Sequence, residues 1–243
     1  MTINVFVVGA QGRMGQSVVE AVNQDNECTL VGISSASNDD LAHLLKESKA
    51  HVAVDFTVPH SVYKNTKTII ECNVHPIIGT SGLTIEQIAE LEKLCAQKKL
   101  GGLIGPNFSI GAVLMMHCAK LSSRYLPDVE IIELHHPQKL DAPSGTARKT
   151  AELISENRGT PSPVATAENP SLGLKYCGIP IHAIRLPGVV ASQEVLFGGH
   201  AEMLSIRHDT LNRTAFMPGV LLACKKVGGL TTLIYGLEQL LEL

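Results

Sequence analysis

The sequence predicts an α/β protein in which a parallel sheet covered by helices is interrupted by an inserted unit, an open sheet with one helical face. Three observations predict it. Short β-favouring runs alternate with helical spacings from residue 3 to residue 104, the order expected of strands joined by crossover helices. A glycine-rich turn joins the first strand to the first helix. Beyond residue 107 the pattern changes to a long helix followed by strands with few residues between them.

The elements follow in order. Residues 3–8 form a continuous β-favouring run, suited to a strand covered on both faces. Met14, Val18, Val19 and Val22 repeat at helical spacing, residues 28–33 are a second strand, and Leu41, Leu44 and Leu45 mark a short helix. Residues 52–56 are a third strand, 62–72 a helix and 76–79 a fourth strand. Thr84 ahead of Glu86 and Gln87 starts a helix carried by Ile85, Ile88, Leu91 and Leu94, and residues 102–104 lead to Pro106. Residues 108–121 read as a long helix in which Met115, Met116 and His117 pack, 129–134 as a strand and 144–154 as a helix. Residues 157–178 have no period and read as a loop or arm, with strands at 181–186, 193–198 and 202–208. Residues 214–227 and 232–240 read as closing helices returning to the first domain, so that the insertion runs from about Asn107 to Thr214.

Composition narrows the function. The 243 residues carry 20 Lys and Arg against 23 Asp and Glu, a net charge of −3, with 44% hydrophobic and 18% charged residues. That excludes a generally disordered chain and gives no electrostatic case for a nucleic-acid partner. Aromatics are 4% and tryptophan is absent, so base-stacking platforms are poorly supplied. No run approaches the roughly 18 to 20 apolar residues of a membrane span. The opening MTINVFVVGAQG reads as a buried strand and not a secretory signal. Six scattered cysteines without a CxxC suit the reduced thiols of a cytoplasmic protein.

The first functional signal is Gly9-Ala10-Gln11-Gly12-Arg13-Met14-Gly15, between a strand and a helix. In that context Gly9 allows the tight turn, Gly12 the close approach of a pyrophosphate, and Gly15 the contact of helix and strand. Helix N–H groups then meet the phosphates. The tip of the second strand, Ser34-Ser35-Ala36-Ser37-Asn38, lacks the carboxylate that would take a ribose 2′-hydroxyl, and no arginine stands beside it. Arg13 could reach a 2′-phosphate. The cofactor is NADPH or NADH, with a lean to NADPH.

The second signal is Glu133-Leu134-His135-His136-Pro137-Gln138-Lys139-Leu140-Asp141-Ala142-Pro143-Ser144-Gly145-Thr146-Ala147. Two histidines and a lysine follow an apolar strand. Histidine can serve as a general acid near neutrality and lysine supplies charge for an anion. The helix that begins at Ser144, Gly145 and Thr146 offers N–H groups to a carboxylate. Adjacent histidines point differently and no cysteine completes a set, so no metal site is expected.

This stretch closely resembles the signature of the 4-hydroxy-tetrahydrodipicolinate reductase (dihydrodipicolinate reductase) family, of the diaminopimelate branch to lysine. The likeness extends to residues 9–15, Asp55-Phe56-Thr57, Gly79-Thr80-Ser81-Gly82, Pro106-Asn107-Phe108-Ser109, and the tail from Phe197 through His208 to Arg213 and Phe216. The resemblance implies a Rossmann-like nucleotide-binding domain of residues 1–106 plus 214–243. It also implies an inserted α+β substrate and oligomerisation domain, residues 107–213, whose open mixed sheet builds a homotetramer. It matches His135 to the catalytic acid/base, Lys139 to the catalytic lysine, His136 to a substrate-binding histidine, and Gly145 and Thr146 to the holders of a substrate carboxylate. The cofactor is implied to lie on Gly9, Ala10, Gln11, Gly12, Arg13 and Met14, with the nicotinamide lined by Gly79, Thr80, Ser81, Gly105, Pro106, Asn107 and Phe108. Arg213 lies in the segment that matches the family's arginine before the return to the nucleotide domain.

The implied reaction is NAD(P)H-dependent reduction of 4-hydroxy-2,3,4,5-tetrahydrodipicolinate, a small cyclic dicarboxylate, to 2,3,4,5-tetrahydrodipicolinate. Domains joined near Asn107 and Thr214 suggest closure on that substrate. The segment Arg185-Leu186-Pro187-Gly188-Val189-Val190-Ala191-Ser192-Gln193-Glu194 departs from the family's run there. Two alternatives stand beside this reading: another amino-acid-type NAD(P)-dependent dehydrogenase, and a dinucleotide-sensing protein without turnover.

Overall fold

The computed structural model describes residues 2–35, 40–162, 169–241 and 243. Part of the second strand's expected tip (36–38) and part of the 157–178 loop (163–168) lie outside the described residues. The chain forms two compact units, Met1–Ile110 with Phe216–Leu243, and Gly111–Ala215.

The first unit is a six-stranded sheet: β1 (Ile3–Val8), β2 (Cys28–Ser34), β3 (Val52–Asp55), β4 (His75–Ile78), β5 (Gly102–Ile104) and β11 (Leu233–Tyr235). Its order is β2-β1-β3-β4-β5-β11 and every pairing is parallel. The helices are α1 (Arg13–Gln24), α2 (Leu41–Ser48), α3 (Pro59–Glu71), α4 (Ile85–Lys98) and α7 (Met217–Lys226). Strand alternation sends Phe6 and Val8 of β1 against Leu41 and Leu45 of α2 and Ile69 of α3. Val5 and Val7, fully buried, face the other way. Farther along, Ile78, Ile104 and Leu233 pack with Val62, Ile70, Leu91 and Cys95. The capping box expected at Thr84 is present, with Gln87 as its partner. The chain reverses direction across the sheet between β1 and β3, which makes their carboxyl ends the switch point where such sheets bind ligands.

The chain's end differs from expectation. Residues 232–240 are not a helix: β11 adds to the open edge of β5, Gly236 takes φ +101°, and only a 3-10 turn, Leu237–Leu240, follows. Leu233-Ile234-Tyr235 is β-favouring, and a residue at φ +101° cannot continue a helix.

The second unit begins with α5 (Ile110–Ser122), which buries Met115 and Met116. Its sheet contains β6 (Asp128–His135), β7 (Leu174–Tyr176), β8 (Ile179–Arg185), β9 (Ala191–Gly199) and β10 (Glu202–Thr210) in the order β10-β9-β6-β8-β7. Only the β6–β8 pairing is parallel, so the sheet is mixed. The crossover between those strands is α6 (Gly145–Ser155), which packs on both. Val129, Ile131, Ile181, Val195 and Phe197 are buried on one face together with Ala147, Ala151 and Ile154 of α6. The other face is open, as expected, and carries Glu130, His182, Ile184, Glu194 and Met203. Part of the aperiodic 157–178 stretch is ordered as β7. It is closed onto β8 by Cys177 and Gly178, both at positive φ, the two-residue turn that suits a twisted hairpin.

No helix among the described residues is long and apolar enough to cross a membrane.

Candidate functional site

In the first unit the loops after β1, β3, β4 and β5 meet at the carboxyl edge of the sheet. Gly9 has φ +83°, and its N–H and that of Ala10 both donate to the Ser34 carbonyl, at 2.9 and 3.1 Å. A Cβ at Gly15 would lie 2.1 Å from the Gly9 oxygen, so helix and strand can touch only through glycine here. A Cβ at Gly12 would come no closer than 3.3 Å to any atom, and Gln11, Gly12 and Arg13 are exposed. Gly12 caps α1 without a side-chain hydrogen bond. The leading N–H groups of the helix thus have no side-chain cap, and the exposed loop fits a dinucleotide pyrophosphate.

Beside that loop, Asp55 at the end of β3 is fully buried. Its Oδ1 accepts from the Thr57 N–H (3.0 Å), the Thr57 hydroxyl (2.7 Å) and the Thr80 hydroxyl (2.6 Å), and its Oδ2 from Asn65 Nδ2 (3.1 Å). Burial, opposed by these hydrogen bonds, holds the carboxyl above its ordinary range. Gly79 donates to the Asp55 carbonyl at 2.9 Å, and a Cβ on Gly79 would strike the Phe56 ring at 2.1 Å. Phe108 stacks obliquely on Phe56, ring centroids 5.7 Å apart, and fills the space a Cβ of Gly105 would need. Asn107 Oδ1 accepts from the Ser109 N–H at 2.8 Å. Thr80 is buried, whereas Ser81 and Pro106 are exposed. The structure thus gathers the 9–15, 79–81 and 105–108 segments around one edge.

In the second unit the signature segment leaves the end of β6. Glu133 lies fully buried on the helical face, in register with the apolar positions Val129 and Ile131. Its Oε2 meets His135 Nδ1 at 2.5 Å and Arg185 Nη1 at 3.0 Å; its Oε1 meets Arg185 Nη2 at 3.0 Å and the Ser144 N–H at 3.2 Å. Burial opposes its ionisation, yet the hydrogen bonds and charges of His135 and Arg185 prevail and hold it below the ordinary carboxylate range. Lys139 Nζ pairs with Asp141 at 2.8 Å, a contact that lowers the Asp141 carboxyl. Ser144 caps α6 by accepting from the Ala147 N–H at 3.2 Å. A Cβ added to Gly145 would meet nothing within 4 Å, so there is room beside this helix start. His136 Nδ1 is buried without a hydrogen-bond partner.

His135, Lys139, Gly145 and Thr146 therefore share one corner of the second unit, and the open space and helix N-terminus there suit a carboxylate. Arg213 is exposed in the 3-10 turn Arg213–Phe216. Asp55 and Arg185 had no assigned role from the sequence, nor did Glu133 beyond opening the signature. For the two carboxylates the signal was a lone charge inside an apolar run, Val52-Ala53-Val54-Asp55-Phe56 and Ile131-Ile132-Glu133-Leu134, which cannot be buried unpaired. In the divergent segment Gln193 is buried and donates to Thr150 at 2.7 Å. Among the described residues no group of three or more His, Cys, Asp or Glu side chains is placed to hold a metal ion. Burial pushes the Cys28 and Cys95 thiols up to about 11 and about 12, so neither supplies a thiolate.

Comparison with known proteins covers nearly the whole chain. The family model "Dihydrodipicolinate reductase, N-terminus" matches residues 3–108, and "Dihydrodipicolinate reductase, C-terminus" matches residues 111–241. The 4-hydroxy-tetrahydrodipicolinate reductase of Coxiella burnetii is 49% identical over 241 residues, 99% of this chain and 100% of that one. The Moorella thermoacetica protein of the same name is 45% identical over 99% of this chain and 98% of its own. A solved structure, dipicolinate-bound dihydrodipicolinate reductase from Paenisporosarcina sp. TG-14, superposes with a TM-score of 0.88 at 42% identity, covering 98% of this chain and 99% of that one. A probable dehydrogenase from Thermotoga maritima shares the fold alone, at a TM-score of 0.67 and 11% identity. Matched in both halves and closely related along its whole length, the chain belongs to the dihydrodipicolinate reductase family.

Proposed function

We propose that this chain is a 4-hydroxy-tetrahydrodipicolinate reductase. 4-Hydroxy-2,3,4,5-tetrahydrodipicolinate, NAD(P)H and one proton become 2,3,4,5-tetrahydrodipicolinate, NAD(P)⁺ and water. The observation that carries it is the second unit's corner, where a histidine held by a buried carboxylate stands with a lysine and an open helix start. The first unit is the dinucleotide-binding domain. Its outward-facing loop of Gly9, Gly12 and Gly15 would hold the pyrophosphate, and Gly79, Thr80, Ser81, Gly105, Pro106, Asn107 and Phe108 the nicotinamide. A bound reduced nicotinamide supplies the hydride. His135 gives the proton that accompanies it, and Lys139 places positive charge against a carboxylate. The α6 N–H groups with Gly145 and Thr146 hold a carboxylate, and His136, whose buried Nδ1 has no hydrogen-bond partner within the protein, is the substrate-binding histidine.

Arg13, exposed at the first position of α1, supports a preference for NADPH over NADH. The second unit serves substrate binding and homotetramer formation, a reading supported by Ile184 and Met203, 41% and 72% exposed on the open sheet face. A cytoplasmic location accords with six cysteines that are all free thiols.

The test is absorbance at 340 nm with freshly made synthase product and each dinucleotide in turn. Turnover supports the proposal, whereas dinucleotide binding without turnover refutes it in favour of a sensor. His135→Ala and Lys139→Ala each lower kcat by about 10²-fold or more while dinucleotide affinity is kept. Near-normal turnover in both variants overturns the site assignment. Calorimetric titration with dipicolinate, a stable planar dicarboxylate, gives a readout of the substrate corner without turnover.

A further inference from the structure

Glu133 accepts four hydrogen bonds, two on each oxygen, and every donor belongs to the segment proposed to bind and protonate the substrate or to Arg185. A fully buried carboxylate with its acceptor sites filled by a guanidinium, an imidazole and a backbone N–H is an ionised acceptor with no proton to give. The imidazole nitrogen facing it must therefore carry hydrogen. His135 Nδ1 is that nitrogen, which leaves Nε2 to exchange a proton with a ligand.

Arg185 reaches further. It pairs with His135 in the β6–β8 register, so its side chain starts beside the loop that leaves β6. From there Nη2 donates to the Asp141 carbonyl at 2.7 Å and Nε to the Lys139 carbonyl at 3.3 Å. The guanidinium thus ties down the turn that bears Lys139, while Glu133 fixes the start of α6 through the Ser144 N–H. One ion pair connects the histidine, the lysine-bearing turn and the helix start.

We infer that Glu133 and Arg185 are positioning residues of the reductase. Glu133 sets the tautomer of His135, making Nε2 its working atom, and Arg185 holds the Lys139 turn in register with it. The inference rests on the proposed roles of His135 and Lys139, and it divides the labour: Glu133 governs the proton, Arg185 the seating of the dicarboxylate.

Two variants separate these roles. Glu133→Gln keeps the side chain's shape but presents an amide donor to His135 Nδ1, which then has to accept, and the proton moves to Nε2. Long-range ¹⁵N–¹H correlation spectra of histidine-labelled protein, with His135 assigned by its loss in His135→Asn, read this directly. The expected result is an Nδ1–H resonance in the wild type and Nε2–H in Glu133→Gln. Its kcat falls about 10²-fold or more, because an Nδ1 that accepts from the amide cannot also carry the hydrogen of the imidazolium that gives its Nε2 proton to the substrate, and KM for the dinucleotide is unchanged.

Arg185→Lys keeps the charge but loses the fork and its carbonyl contacts. Its His135 stays Nδ1–H, and its main defect is a KM for the cyclic dicarboxylate raised roughly 10-fold, with kcat less affected. An unchanged tautomer in Glu133→Gln, or the same kinetic defect in both variants, overturns the inference even though the wild type turns over. A wild type without turnover defeats the reading of the site instead, and the tautomer measurement on it still decides the role of Glu133. If Glu133→Gln does not fold, the KM-against-kcat pattern and tautomer of Arg185→Lys decide the matter.

Discussion

Asp55 offers the sharpest test of how the cofactor edge is built. Replacing it with alanine removes four hydrogen bonds, from the Thr57 N–H, the two threonine hydroxyls and Asn65, inside a site with no solvent exposure. At about 1 kcal/mol net for each bond the loss is about 4 kcal/mol. Relief from burying a carboxylate returns on the order of 1 kcal/mol, leaving about 3 kcal/mol. For a chain of this size that lowers Tm by roughly 6–12 °C. With no tryptophan in the sequence, circular dichroism at 222 nm follows the transition.

Asp55→Asn discriminates between the carboxylate's hydrogen bonds and its charge. It keeps the Oδ1 acceptor for three donors and loses only the match to Asn65, about 1 kcal/mol. The folded carboxyl is raised above its unfolded value, chiefly by burial. The native state thus holds the proton over a pH range in which the unfolded chain has released it. Wild-type stability is therefore fullest below the unfolded value, about 3.9, and falls as pH rises through the raised folded value. The asparagine variant has no such loss. The wild-type advantage over Asp55→Asn should shrink from pH 4 to pH 7. Asp55→Ala melting within 2 °C of wild type, or a gap that widens with pH, refutes this account.

The remaining predictions concern single positions. Gly145→Ala leaves Tm unchanged, since its Cβ meets nothing within 4 Å, but raises KM for the dicarboxylate about 10-fold; an unaltered KM removes Gly145 from the substrate site. Gly15→Ala forces a Cβ to within 2.1 Å of the Gly9 oxygen, so dinucleotide affinity falls at least 10-fold and Tm drops, as dinucleotide titration and melting will report. Arg13→Ala lowers kcat/KM for NADPH roughly 10-fold and leaves NADH alone, and equal effects on the two cofactors end the case for a 2′-phosphate contact.

Much of this was legible from local pattern. The glycine turn is recognisable because each glycine answers a steric demand a few residues away: Gly15 against Gly9, and Gly9 against the end of the neighbouring strand. The cap at Ser144 and the box at Thr84 are likewise local, formed within three residues. What escaped depends on distant partners. Residues 233–235 become a strand because β5 offers an open edge some 130 positions earlier, and Leu174-Lys175-Tyr176 because β8 folds back through Cys177 and Gly178. The support of His135 escaped for the same reason, since Arg185 lies 52 residues from Glu133 in sequence and beside it in the sheet.

The two buried carboxylates show why position alone does not foretell what such a residue does. Both interrupt apolar runs, both are fully buried, and both accept four hydrogen bonds. Asp55 is met only by neutral donors, two hydroxyls, an amide side chain and a backbone N–H, and burial wins: its acidity is weakened. Glu133 is met by a guanidinium and an imidazole, and burial loses: its acidity is strengthened. A buried carboxyl met only by neutral donors organises a loop of threonines through hydrogen bonds alone. A carboxylate that stays ionised can orient a histidine through proton transfer, because it keeps accepting from Nδ1 whatever the state of Nε2. The partner's charge, more than the depth of burial, separates the structural carboxyl of the first unit from the one that serves chemistry in the second.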